Sequence, residues 1–169
     1  EAYYEYVRHP AYPDSLGYVK AGRNAIVLRT FSKIYGLAGL RIGYGITTPD
    51  ITDFLNRLRP PFNANSMAQR AALAALDDEE HLAKSRALNH SEMDIVRAGL
   101  QAMGVDPLPS ETNFLYFDVG RDGRQVFNAL LKEGIIVRHI DGSMLRVTIG
   151  LPDENQLFLS ALRHVLRAS

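Results

Sequence analysis

The segment TFSKIYGLAGLRIGYG (residues 30–45) constrains the structure and chemistry of this chain more than any other part of its sequence. It contains Lys33 directly after a short apolar run, with hydroxyl side chains at Thr30 and Ser32 and with Arg41 eight residues after the lysine. A lysine amine attacks an aldehyde or a ketone only when it is unprotonated and held in place. Hydroxyl groups and a guanidinium fork are groups that hold the anionic tail of a phosphate-bearing cofactor. The spacing therefore suits a lysine joined as a Schiff base to pyridoxal phosphate, whereas an isolated Ser-Lys pair in a loop is usually a solvated surface lysine.

The complete string distinguishes between these two interpretations. Thr-x-Ser-Lys, Leu-Ala-Gly-Leu-Arg and Gly-Tyr-Gly follow one another in this order. In this order and without a gap, they closely resemble the active-site segment of class I/II aminotransferases of the pyridoxal-phosphate fold type I group, particularly the histidinol-phosphate aminotransferase branch. The resemblance covers essentially the whole chain, as the C-terminal half of family members.

The resemblance implies a role for each residue of the segment. Lys33 is the Schiff-base lysine and the base that moves a proton from the substrate Cα, and we expect burial and the neighbouring Arg41 to favour its unprotonated form. Arg41, Thr30 and Ser32 hold the cofactor phosphate. Tyr3 matches the tyrosine that hydrogen-bonds the phenolic oxygen of the cofactor, although Tyr3 also lies in a tyrosine-rich stretch in which any ring can serve packing.

Three further residues are implied in substrate binding. Arg146 in LRVTIG matches the arginine that binds the anionic end of the substrate, and Arg138 in GIIVRH matches a second arginine that helps with substrate phosphate. Asn113 lies near the expected position of the substrate carboxylate, and a structural role at a strand edge is equally open for it. The segment between the two arginines, residues 139–145, is shorter than is usual in the family, which leaves the substrate open. The five histidines show no metal-ligand spacing, so we predict no metal site.

The composition narrows the possible partners. Nineteen basic and nineteen acidic residues cancel, so nothing indicates binding to nucleic acid or to an anionic membrane. No apolar run reaches about 18 residues, so we expect no membrane span. There is no cysteine, and neither disulfides nor thiolate chemistry is expected. We expect a cytoplasmic protein whose partners are a small-molecule amino donor and an oxo-acid acceptor, and the resemblance implies a homodimer.

The hydrophobic pattern predicts an α/β fold. By resemblance, residues 1–77 are the end of the large mixed-sheet cofactor domain, residues 78–103 are a long linking helix, and residues 104–169 are a small C-terminal α/β domain. Predicted strands cover 25–30 (buried and parallel), 41–46, 113–119, 135–138 and 145–149. Predicted helices cover 51–59, 67–76 with Ser66 as the cap, 79–103, 124–132 and a last one starting at Pro152-Asp153 with Gln156 in a capping box.

These expectations lead to one main hypothesis and several alternatives. The main hypothesis is transamination between histidinol phosphate and 2-oxoglutarate, giving imidazole-acetol phosphate and glutamate, by a chain that is a fragment of a longer enzyme. The fragment is expected because the family aspartate that pairs with the pyridine nitrogen would lie just before Glu1. An aromatic amino-acid aminotransferase, a threonine-phosphate decarboxylase and a non-catalytic truncated domain are the alternatives.

Overall fold

The computed structural model describes residues 1–167. The chain divides into two compact units, Glu1–Ser85 and Arg86–Ser169, which are called the lysine unit and the C-terminal unit below. The boundary falls inside a long helix. The assignment of the chain to a cofactor domain, a linking helix and a small domain, with limits at residues 77 and 103, stays a prediction.

The lysine unit is built around a two-stranded ribbon. Strands β1 (Val27–Thr30) and β2 (Gly43–Ile46) pair in antiparallel fashion, with Thr30 opposite Gly43. The prediction of a parallel strand is therefore wrong for the pairing within this chain. The intervening residues 31–42 contain only the short 3-10 helix Ala38–Leu40, whereas a parallel return usually needs a full crossover helix. The prediction of burial holds for Val27, which is 5% exposed, but not for Leu28, which is 63% exposed.

Gly43 allows the two strands to approach each other. A Cβ atom at this position would lie 2.8 Å from the backbone oxygen of Arg29, which is closer than real Cβ contacts allow. A glycine inside a strand predicts such a close backbone approach, and the structure confirms that prediction here.

The lysine unit also contains a short 3-10 helix at Tyr4–Tyr6 and the α-helices α1 (Ser15–Lys20), α2 (Pro49–Leu58) and α3 (Ser66–Leu76). The predicted cap at Ser66 is wrong, because Asn65 caps α3 and its Oδ1 accepts a hydrogen bond from Ala68 N at 2.8 Å. Serine and asparagine are both good N-caps, so adjacent candidates cannot be separated from sequence alone. Helix α1 was not predicted. It has only six residues and contains Gly17.

Helix α4 (Glu79–Gln101) lies within the range in which the sequence predicts a long helix. It ends where the backbone N–H of Val105 donates to Leu100 O and that of Gly104 donates to Gln101 O. Gly104 has a positive φ of 77°, which explains why a glycine ends this helix.

The C-terminal unit contains an antiparallel three-stranded sheet in the order β3-β5-β4. The strands are β3 (Phe114–Asp118), β4 (Arg138–Asp141) and β5 (Met144–Thr148), and helix α5 (Gly123–Lys132) lies between β3 and β4 in sequence. The predicted strand 135–138 is thus displaced by three residues toward the N-terminus. The strand was predicted there because residues 135–137 are apolar. In the structure, Ile135 N donates to Leu130 O in the turn that ends α5.

One face of this sheet builds the core of the C-terminal unit. Leu115, Phe117 and Leu145 are fully buried, while Tyr116 and Arg146, their neighbours along the strands, lie on the other face. Helix α6 (Pro152–Arg167) adds Phe158 and Leu162 to the same core. The remaining core residues include Met93, Val96, Leu100, Val126 and Leu130.

A buried polar contact fixes the turn between β5 and α6. Asn155 is 3% exposed; its Nδ2 donates to Glu92 Oε2 at 2.7 Å and to Gly150 O at 3.0 Å, and its Oδ1 accepts from Gly150 N at 3.0 Å. The predicted capping role of Gln156 is wrong. Glu154 takes that role, since its Oε2 accepts from Leu151 N at 2.7 Å.

No helix within residues 1–167 is both long enough and apolar enough to cross a membrane.

Candidate active site

The loop after β1 presents Lys33 on the surface of the lysine unit. Phe31 and Ile34 on either side of the lysine are 4% and 2% exposed, so the loop is anchored by two buried side chains. The loop closes on itself, because Leu37 N donates to Phe31 O and Gly36 N donates to Lys33 O, each at 2.9 Å. The expected burial of Lys33 is wrong within this chain: its side chain is exposed. The lysine is therefore held on an ordered loop with its amine accessible.

Tyr3 lies beside this amine. The Lys33 Nζ atom is 5.3 Å from the centroid of the Tyr3 ring. The segment that carries Tyr3 is tied to β1, because Arg29 forms an ion pair with Glu1 at 2.9 Å and its guanidinium lies 3.8 Å from the Tyr4 ring centroid. Burial by itself lowers the pKa of Arg29, but hydrogen bonding to Glu1 and Tyr44 and the attraction of their charges outweigh it, so the pKa of Arg29 lies above its ordinary value. The raised pKa keeps Arg29 charged, so its ion pair with Glu1 is maintained. This ion pair holds the segment that carries Tyr3 against β1, and Tyr3 lies beside Lys33.

Thr30, Ser32 and Arg41 form a connected polar cluster. The Ser32 backbone N–H donates to Thr30 Oγ1 at 3.1 Å, and Arg41 Nη1 donates to Ser32 Oγ at 3.4 Å and to Ala38 O at 2.9 Å. Arg41 has a positive φ of 57°, which is uncommon for a residue other than glycine and is concentrated at functional positions. Arg41 makes no ion pair with any carboxylate in residues 1–167. This guanidinium is therefore fixed in direction and available to an external anion.

One contact of the lysine loop was not predicted from the sequence. His81 of α4 has its Nε2 atom 3.0 Å from Ile34 O, next to the lysine. The spacing of the histidines carries no signal for this residue, because only the packing of α4 on the loop brings it to Ile34. In residues 1–167, no group of three His, Asp or Glu side chains is arranged to hold a metal ion.

A second cluster lies on the sheet face of the C-terminal unit opposite to its core. Arg138 of β4 and Arg146 of β5 are direct cross-strand partners, and Tyr116 of β3 is the partner of Arg146 on the other side. Side chains at paired positions lie on the same face, with Cβ atoms about 4.5–5.5 Å apart. Like charges at paired positions repel each other. Neither arginine forms an ion pair with a carboxylate in the described part of the chain.

Arg146 has an incomplete set of hydrogen bonds. Its guanidinium lies 4.8 Å from the Phe114 ring centroid, and its Nε atom is buried without a hydrogen-bond partner in the described residues. Buried polar atoms are nearly always paired, so this orphaned donor points to a missing acceptor. Phe114 was not predicted as part of this site, since the strand register that places it there is not readable from sequence.

Asn113 lies one residue before β3. Its backbone oxygen accepts a hydrogen bond from Ile149 N at 2.8 Å, which extends the pairing of β3 with β5. Its side chain forms no hydrogen bond within residues 1–167. This geometry gives Asn113 a strand-edge role, and its contact with substrate stays a prediction.

Comparison with known proteins identifies the group to which these residues belong. The family described as "Aminotransferase class I and II" matches residues 1–162. The histidinol-phosphate aminotransferase of Moorella thermoacetica is 52% identical over 171 residues, covering 98% of this chain and 44% of that protein. Histidinol-phosphate aminotransferase 2 of Pseudomonas fluorescens is 52% identical over 170 residues, covering 98% of this chain and 46% of that protein. The chain thus spans about half the length of the curated relatives it matches.

Solved structures agree with this assignment. The histidinol-phosphate aminotransferase of Sinorhizobium meliloti, solved with pyridoxal-5'-phosphate, superposes with a TM-score of 0.89 at 32% identity and covers 99% of this chain and 48% of that chain. The histidinol-phosphate aminotransferase of Clostridium acetobutylicum superposes with a TM-score of 0.91 at 26% identity and covers 100% of this chain and 53% of that chain. The predicted fold class, part of the fold type I architecture, is confirmed. The chain therefore belongs to the class I and II aminotransferase family.

Proposed function

We propose that this chain carries the lysine and the anion-binding residues of a pyridoxal-phosphate-dependent aminotransferase. The proposed reaction transfers the amino group between histidinol phosphate and 2-oxoglutarate, with imidazole-acetol phosphate and glutamate as products. The observation that carries the proposal is the position of Lys33 beside Tyr3 in the same unit as the unpaired, hydroxyl-linked guanidinium of Arg41. The names of the relatives support the choice of substrate.

The residues of the lysine unit fit the chemical groups of this cofactor. Pyridoxal phosphate carries an aldehyde, a phenolic oxygen and a phosphate. Lys33 supplies an accessible amine for the aldehyde, and Tyr3 supplies a phenol beside that amine. Arg41 and Ser32 supply charge-assisted and hydroxyl donors for the phosphate, with Thr30 fixing the Ser32 backbone. Each of these three groups of the cofactor thus has a partner of matching chemistry in the lysine unit.

The mechanism assigns distinct work to these side chains. Bound pyridoxal phosphate supplies the carbonyl group that takes up the amino group and the electron sink for the electrons of the broken Cα–H bond. Lys33, once its amine is free, takes the proton from the substrate Cα and returns it in the reverse half-reaction. The buried Phe31 and Ile34 hold the lysine loop still, which reduces the orientational cost of that proton transfer.

Arg146 and Arg138 are proposed to bind the anionic end of the substrate. The orphaned Arg146 Nε and the repulsion between two paired arginines both favour a bound dianion at this face. A phosphate monoester suits two guanidinium groups, which supports a phosphorylated substrate over an aromatic amino acid. Decarboxylation of a phosphorylated amino acid would use the same pair, and assays for carbon dioxide release separate that reaction from transamination.

We place the enzyme in the cytoplasm as a homodimer. The support for the dimer comes from the apolar side chains exposed on and after α2, of which Leu58 is 81% exposed and Phe62 is 97% exposed. Sedimentation velocity on the chain and on Phe62→Ser tests this assembly. A concentration-independent monomer in both samples contradicts it.

A covalent trapping experiment tests the function. The chain is mixed with pyridoxal phosphate, reduced with borohydride and mapped by peptide mass spectrometry. We expect one reduced adduct on the peptide with Lys33, its loss in Lys33→Ala, and its retention in Lys20→Ala, which removes another exposed lysine of the same unit. Adducts spread over several lysines, or none, would reject the assignment. Transamination of histidinol phosphate compared with that of phenylalanine then tests the substrate.

A further inference from the structure

A cleft of about 420 Å³ in the C-terminal unit has no role in the proposed transamination. Its walls come from the turn after α4, the loop after β3 and the end of α6. The polar and glycine residues that line it are Gly104, Asp118, Gly120, Arg121, Arg163 and Arg167. None of these residues belongs to the arginine pair on the outer face of the sheet.

The charge on the walls of this cleft is unbalanced. Arg121, Arg163 and Arg167 contribute three guanidinium groups, and none of them forms an ion pair or a hydrogen bond within residues 1–167. Asp118 offsets only part of this charge; its Oδ1 accepts from Gly120 N at 2.8 Å and its carboxylate is also hydrogen-bonded by Ser143. Hydrogen bonds to Ser143 and Gly120 hold the pKa of Asp118 below its ordinary value, so Asp118 stays ionised, and the one carboxylate and three guanidinium groups leave the walls with a net positive charge.

Helix dipoles account for Arg167 but not for Arg121. Cations are favoured in the last turn of a helix, which explains Arg167 at the end of α6. Arg121, however, lies just before Gly123, the first residue of α5, where the dipole disfavours a cation. The last carbonyls of α4 are also satisfied by Gly104 N and Val105 N, so the cleft offers the arginines no free backbone acceptors there. Within residues 1–167 the three arginines therefore have no ion-pair partner, and an external anion would supply one.

We infer that this cleft is a binding site for a small multivalent phosphate compound, of the size of a phosphate ester or pyrophosphate. Guanidinium groups bind phosphate oxygens with paired, charge-assisted hydrogen bonds. The volume lies within the range of small-molecule sites, about 300–1,000 Å³. The site goes beyond the proposed function, because it contains no residue of the lysine unit and neither Arg138 nor Arg146.

Titration of the 169-residue chain with inorganic pyrophosphate tests this site. Amide NMR signals locate the ligand, and calorimetry measures its affinity. We expect the Gly104 and Gly120 signals to shift, and we expect affinity to fall about tenfold in Arg163→Gln and in Arg121→Gln, as loss of a charge-assisted hydrogen bond predicts. Arg124→Gln, an exposed arginine outside the cleft, is the matched control and retains full affinity. Affinity is expected to weaken with added sodium chloride.

Each alternative result has a defined meaning. Unmoved Gly104 and Gly120 signals, or equal affinity in the chain and in both cleft variants, overturn the site. Citrate that binds as tightly as pyrophosphate overturns the phosphate assignment. Loss of the cleft signals in Arg146→Gln, with the fold intact by circular dichroism, shows that the outer sheet face is the true site. Comparison of the affinities for pyrophosphate and glycerol phosphate shows whether the cleft prefers an inorganic phosphate or an organic phosphate ester.

Discussion

Replacing Arg138 with methionine is expected to make the empty protein more stable and the bound protein less stable. In the structure Arg138 and Arg146 face each other across β4 and β5 without carboxylate partners. Removing a like-charge cross-strand pair is worth about 0.2–1 kcal/mol in the free energy of unfolding. Methionine retains an unbranched apolar stem at this position and removes only the charge.

The same substitution removes a charge-assisted contact to the substrate anion, worth about 1.5–3 kcal/mol. Histidinol phosphate at 100 times its dissociation constant stabilises the native chain by about 2.7 kcal/mol. An affinity lower by about 10- to 150-fold reduces that ligand-induced stabilisation in Arg138→Met to about 0.3–1.4 kcal/mol at the same concentration. The two effects thus have opposite signs in one protein.

Urea unfolding with and without histidinol phosphate measures both effects, followed by the NMR signals of the C-terminal unit. Arg124→Gln is the control, because it removes an exposed arginine of the same unit that belongs neither to the sheet pair nor to the cleft. The reasoning is refuted if Arg138→Met is destabilised without ligand, or if the ligand stabilises it as much as it stabilises the native chain.

Three further substitutions test the fold and its acid response. Asn155→Ala removes three hydrogen bonds and should lower the free energy of unfolding by about 3 kcal/mol, whereas Asn128→Ala on an exposed helix face should change it little; urea denaturation compares them. Gly43→Ala should cost about 1–3 kcal/mol because its Cβ meets backbone, while Gly39→Ala has open space, and equal losses in thermal melts would contradict the close approach. Asp118 has a lowered pKa, so its ionised form stabilises the fold above the unfolded-state value and this contribution is lost as pH falls through the folded-state value. The advantage of the native chain over Asp118→Asn should therefore shrink below about pH 4, and a constant difference in melts from pH 3 to pH 6 would contradict this.

The sequence predicted the elements with strong local signals. Helix α4 and strands β3 and β5 were expected within one or two residues of their ends, because their apolar periodicity and terminal glycines are local features. The strand at Arg138–Asp141 was misplaced, because the apolar residues before it belong to the turn that ends α5. The parallel orientation of β1 was wrong because strand direction depends on a partner that local sequence does not specify.

The residues of the candidate site likewise fall into those with a local sequence signal and those that only the tertiary structure identifies. Thr30, Ser32 and Arg41 were expected together from one contiguous motif, and hydrogen bonds join them in the structure, while Lys33 of the same motif lies beside Tyr3. The cation–π contact of Arg146 with Phe114 depends on strand register and side-chain direction, so no sequence signal identified it. His81 reaches the lysine loop only through the packing of α4, and the exposure of Lys33 likewise follows from tertiary structure.

A crystal structure of the chain soaked with pyridoxal phosphate tests the central claim most directly. The account predicts continuous electron density from Lys33 Nζ into the cofactor, with the phosphate bound by Arg41 and Ser32 and the phenolic oxygen near Tyr3. Cofactor density that is absent from Lys33, or a phosphate group held away from Arg41, would contradict it.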